Sequence, residues 1–106
     1  MDRTLAVLVL AAALEIGGDA AIRHGLVRGG WPAMLLGAAA LVGYGFVVNV
    51  NRAIDFGALM GLYIAIFFVV SQIVSAAWFG EWPSGALAAG GTLIVAGGAV
   101  IYLGAR

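Results

Sequence analysis

LAVLVLAAALEIGGDAAIR, residues 5–23, decides how this chain folds. Its apolar residues 5–14 run without a break into Glu15, and Asp19 stands one helical turn later. A helix that crosses a bilayer needs about 20 mainly apolar residues. Residues 4–22 meet that need, with an acid near the middle. The N-terminus also has the outline of a secretory signal: Arg3, an apolar run, then Ala11-Ala12-Ala13. Glu15 stands where a mature domain would have to start, and the residues beyond it are equally hydrophobic. The segment therefore reads as a first membrane span rather than a cleaved leader.

The rest of the chain extends that reading. Of 106 residues, 64% are hydrophobic and 9% charged, with a mean hydropathy of +1.12. Soluble domains average about 25% charged residues, so a membrane is the natural solvent. Three further apolar runs cover residues 33–50, 56–80 and 86–105. Between them lie HGLVRGGWP, NRAID and GEWPS, rich in the glycine, proline and charge of turns. β-Barrel strands would be shorter and would alternate apolar with polar. These runs are continuous, which predicts helices. The expected fold is an all-α integral membrane protein, one four-helix transmembrane domain over residues 1–106.

Local signals agree. Trp31, Trp78 and Trp82 fall at predicted span ends, where amphipathic rings favour the interface. Pro32 and Pro83 fit first-turn helix positions, and Asp55 fits an N-cap for the third helix. There is no lysine, and net charge is zero, so nothing suggests nucleic acid. Absence of cysteine removes disulfides and thiolate metal sites. A lone His24 makes no metal site, and no cofactor is implied. No nucleophile–base set or phosphate loop occurs among so few polar residues, so enzyme chemistry is not expected.

The arginines nearly cancel across the membrane. Arg23 and Arg28 belong to one side; Arg3, Arg52 and Arg106 belong to the other. The positive-inside rule acts on an asymmetry, and a chain this balanced is expected to insert both ways. That permits an antiparallel homodimer. A charge at the bilayer centre costs about 2.5–3.5 kcal/mol on insertion scales. Two copies enclosing a chamber would shelter the acid better than one small bundle.

Leu8, Ala11, Ala12, Gly18, Asp19 and Ile22 share the Glu15 face at spacings of three, four or seven. Small residues there let a helix or a ligand approach the backbone. Arg23, four residues after Asp19, is the simplest partner for that acid. Glu15 is then expected to exchange a proton for a cation. A protonated packing residue is the bland alternative. Tyr44 and Tyr63 are candidates to line the chamber, since an aromatic face holds a cation and a phenol hydrogen-bonds a carboxylate; ordinary packing is the other reading for both. Ser71 and Ser75 are expected to bond a neighbouring helix. Asn49, Asn51, Arg52 and Asp55 are expected to form a solvated second loop, with an Arg52–Asp55 gate as the alternative. In the fourth helix Gly90 and Gly97, like Gly91 and Gly98, are seven apart and draw smooth stripes. Gly90 and Gly97 mark the candidate dimer seam.

With these residues in view, the chain resembles the small multidrug resistance (SMR) family of the drug/metabolite transporter superfamily. The likeness rests on AALEIGGDAAIR in the first helix, WP opening the second, WFGE closing the third and the GxxxxxxG stripe of the fourth. It implies an antiparallel dual-topology homodimer, multi-pass in a bacterial inner membrane, with protons exchanged for organic cations such as quaternary ammonium or guanidinium compounds. It gives Glu15 the coupling role, Ala11 and Gly18 the close-packed surroundings, Tyr63 the place where the family usually has tryptophan, and Gly90 and Gly97 the dimer stripe. Asp19 stands where a small hydroxyl residue is usual and joins the candidate substrate-binding residues. The leading expectation is a proton-coupled antiporter for small cations. The rival readings are a superfamily relative handling lipid or metabolite substrates and a non-transport membrane subunit.

Overall fold

From residue 2 to residue 28 no proline interrupts the chain, and α1 occupies Asp2–Arg28 as one helix. A computed structural model describes residues 2–50 and 52–105. Asn51 of the second loop and Arg106 lie outside the described residues. α2 spans Trp31–Val48, α3 Phe56–Phe79 and α4 Gly85–Ala105. All four are long and apolar enough to cross a membrane. Large side chains on their outer faces, such as Leu36, Phe46, Leu93 and Val100, are exposed. An apolar surface of that kind suits lipid, not water.

The helix ends differ from the sequence expectation in instructive ways. α1 continues six residues past Ile22, so His24, Gly25 and Arg28 are helical rather than loop. The fall in hydropathy after Ile22 marks where apolar solvent would end, whereas backbone hydrogen bonding continues until a residue stops it. Gly29 is that residue, with φ +75°, the left-handed conformation that glycine adopts without Cβ strain. The Gly30 N–H then donates to the Gly25 carbonyl at 3.0 Å, closing the helix as a Schellman motif. α2 begins at once, with Pro32 in its first turn as expected. It stops at Val48, two residues earlier than predicted, and the Asn49 side chain donates to the Gly45 carbonyl at 2.8 Å.

Asp55 occupies the N-cap of α3, but its side chain makes no capping bond. Among the described residues, Ser71 and Ser75 bond within α3 and the loop that follows it rather than to a neighbouring helix. Ser71 donates to the Phe68 carbonyl of its own helix at 2.7 Å. The Ser75 hydroxyl donates to the Glu81 carbonyl, while the Ser75 carbonyl accepts from the N–H groups of Gly80 and Glu81. The last turn of α3 is thus clasped to its loop, and Gly80 turns the chain with φ +67°. Pro83 lies outside α4, not in its first turn. Ser84 takes the cap: its hydroxyl accepts the Leu87 N–H at 3.2 Å.

Two compact units result, α1–α2 over residues 2–50 and α3–α4 after them. In the first, helix contacts run Gly25 with Met34, Ile22 with Gly37, Gly18 with Leu41 and Leu14 with Gly43. The α1 numbers fall as the α2 numbers rise, so the pair is an antiparallel hairpin. Gly18 and Gly37 are buried at its centre. A Cβ on Gly37 would stand 2.6 Å from the Gly18 carbonyl oxygen and 2.7 Å from Ile22 Cγ1. Backbone meets backbone there because neither residue has a side chain. In the second unit the seam is filled by side chains: Ile101 covers Gly61, Ala65 touches Gly98 and the Phe68 ring lies on Gly91.

Candidate functional site

Glu15 is the central residue of α1, with thirteen helical residues on either side. At 1.5 Å per residue each end is about 20 Å away. The carboxylate is half-buried. Beside it on the same face, Leu8, Ala11 and Ala12 are almost wholly buried, the two alanines with no exposed surface. An α-helix repeats its face every three or four residues, so Thr4, Leu8, Ala11, Glu15, Gly18, Ile22 and Gly25 form one stripe.

The hairpin register brings a second polar group to this stripe. Contacts pair Gly25 with Met34, Ile22 with Gly37 and Gly18 with Leu41. The next step along both helices sets Glu15 level with Tyr44, and the step after that sets Ala11 level with Val48, which is buried. Tyr44 is half-buried. A phenol O–H beside a carboxylate can donate to it or yield that place to another cationic or donor group.

The other expected site residues are described within their own units. Gly18 is near Glu15 but faces α2: a Cβ there would meet the Gly37 carbonyl oxygen and Leu41 Cγ, both at 2.9 Å. Its smallness serves helix contact. Asp19 and Arg23 are exposed, and among the described residues no ion pair joins them. Tyr63 belongs to the second unit, on α3, and is 4% exposed. Its ring is tilted 54° against Phe67, with centroids 6.0 Å apart. Of the two stripes on α4, Gly91 and Gly98 are buried against α3, whereas a Cβ on Gly90 or Gly97 would meet nothing within 4 Å.

Gly37, Leu41 and Phe67 were not singled out from the sequence. For Gly37 the sequence carries a signal: Gly18 and Gly25 are seven apart, and so are Gly30 and Gly37, the same spacing as the glycine stripes of the fourth helix.

Four apolar helices and a carboxylate set midway along the first define a small multi-pass membrane protein. No family model matches the chain, and no solved structure matches it. A UPF0060 membrane protein of Rhodococcus erythropolis (strain PR4 / NBRC 100887) is 33% identical over 102 residues, covering 94% of each chain. The chain belongs to the UPF0060 family of membrane proteins.

Proposed function

We propose that this protein is a proton-coupled antiporter that exports small organic cations across a bacterial inner membrane. The observation that carries this reading is the half-buried carboxylate at the midpoint of α1, which the hairpin register sets level with Tyr44 of α2. An ionisable group far from both helix ends is costly to maintain and marks a transport path more often than a packing device. In a site of low polarity one carboxylate has two ways to be neutral, with a proton or with a cationic guest. It does not hold both, because a protonated acid offers the guest no charge. Binding of one therefore opposes binding of the other, and the linkage is reciprocal. Protons and cations are exchanged when the site opens alternately to the two sides.

The active unit in this reading is an antiparallel homodimer. The near balance of arginines between the two sides supports insertion in both orientations. The open Gly90–Gly97 stripe supports a seam for the second copy, since α3 occupies only the Gly91–Gly98 stripe. The likeness of AALEIGGDAAIR to the small multidrug resistance pattern points the same way.

The test is proton release. Addition of quaternary ammonium and guanidinium compounds to lightly buffered, detergent-solubilised protein should release protons from the wild type and none from Glu15→Gln. Release that persists in Glu15→Gln, or none in the wild type with any of these cations, overturns the proposal.

A further inference from the structure

We propose that Gly37 is a positioning residue for Glu15: its missing side chain lets α2 lie against the α1 backbone at Gly18, and that contact sets Tyr44 level with the carboxylate. The inference rests on reading Glu15 as the exchange group. Three contacts fix the geometry. The Gly37 Cα faces the Gly18 carbonyl oxygen, the Ile22 backbone nitrogen and Ile22 Cγ1, at 2.6, 3.0 and 2.7 Å from where a Cβ would stand. The first two are main-chain atoms, which cannot rotate away. Any side chain at 37 must therefore push the helices apart or slide one along the other. Either movement is felt two turns later at Tyr44, because the stripe Gly37, Leu41, Tyr44 is a single rigid helical face. Within the hairpin, Tyr44 is the titratable group that α2 presents at this level, and Asp19 lies one turn from Glu15 on α1. Gly45 lies one residue beyond Tyr44, and a Cβ there would meet nothing within 4 Å. It gives an internal control on the same helix.

The chain has two glutamates, Glu15 and Glu81, so carboxyl-labelled glutamate gives two titrating NMR signals, assigned with Glu15→Gln. The Glu15 titration midpoint is measured in detergent for the wild type, Gly37→Ala, Tyr44→Phe, the double variant and Gly45→Ala. Gly37→Ala and Tyr44→Phe should both displace the midpoint from the wild-type value, and in the same sense. The double variant should move no further than either single one, and Gly45→Ala should match the wild type. A wild-type midpoint in Gly37→Ala, or additive displacements in the double variant, overturns the inference. If Gly37→Ala loses its helical content, Gly18→Ala carries the test from the other side of the same contact, where the approach is a milder 2.9 Å, with the same criteria. Failure of cation-driven proton release in the wild type would remove the transport reading and leave these midpoints interpretable.

Discussion

Alanine at Gly17 and alanine at Gly18 form a matched pair that isolates the contact holding the first hairpin together. Both positions lie in the interior of α1, and both gain the helix preference of alanine over glycine, up to about 1 kcal/mol in water. That gain cancels in the comparison. The surroundings do not cancel: a Cβ at 17 meets nothing within 4 Å, while a Cβ at 18 meets the Gly37 carbonyl oxygen and Leu41 Cγ at 2.9 Å and Leu41 Cδ2 at 3.1 Å. Ordinary contact begins near 3.5 Å, so the hairpin must open by roughly half an ångström or more. Overpacking of this kind costs about 1–3 kcal/mol. Gly18→Ala should therefore be about 1–3 kcal/mol less stable than Gly17→Ala, read from reversible unfolding in mixed micelles monitored by helical circular dichroism. In a double-mutant cycle with Leu41→Ala the coupling should offset only part of the loss, because the Gly37 carbonyl stays in place. Equal stability of the two alanine variants would refute the hairpin geometry, and with it the register that sets Glu15 level with Tyr44.

The second unit gives a parallel case with a different remedy. Gly91→Ala should be destabilised by about 1–3 kcal/mol through collision with the Phe68 ring; since the obstacle is a side chain, a double-mutant cycle with Phe68→Ala should show a favourable coupling that offsets most of that cost, read from unfolding in micelles. Gly97→Leu should leave the helical content of each chain unchanged, because a Cβ at 97 meets nothing within 4 Å, yet should convert the proposed dimer to monomer in light scattering with detergent correction. An unchanged mass would remove the Gly90–Gly97 seam.

Much of the architecture could be read from hydropathy alone. Four long, mainly apolar runs separated by Gly- and Pro-containing loops leave few alternatives to four membrane helices, and the structure has them. The ends of those helices were harder to read, because hydropathy reports the surrounding solvent and hydrogen bonding reports the backbone. Arg28 is helical because the first residue able to reverse the chain is Gly29. Pro83 falls outside α4 because the Ser84 hydroxyl caps the helix. At the site, Glu15 stood out as an acid in an apolar run, and Tyr44 was a candidate by chemistry. Their placement at one level was not legible, since it depends on the Gly18–Gly37 contact between separate helices. The paired glycines of α4 show the same limit. Gly90 with Gly97 and Gly91 with Gly98 have identical spacing, and only the packing of Ala65 and Phe68 reveals which pair α3 uses.

The two partners of the first hairpin are unequal in length: α1 has 27 residues and α2 has 18. At 1.5 Å per residue they measure about 40 and 27 Å, against a hydrocarbon slab of about 30 Å. Since Gly18 and Gly37 clamp them together, neither can lean independently to suit its surroundings. Thick, sterol-like bilayers would stretch past the ends of α2, and thin ones would leave more of α1 in the headgroups. Acyl-chain length is thus a physical variable to which this hairpin responds as a unit, and reconstitution in lipids of graded thickness is a direct way to apply strain to it.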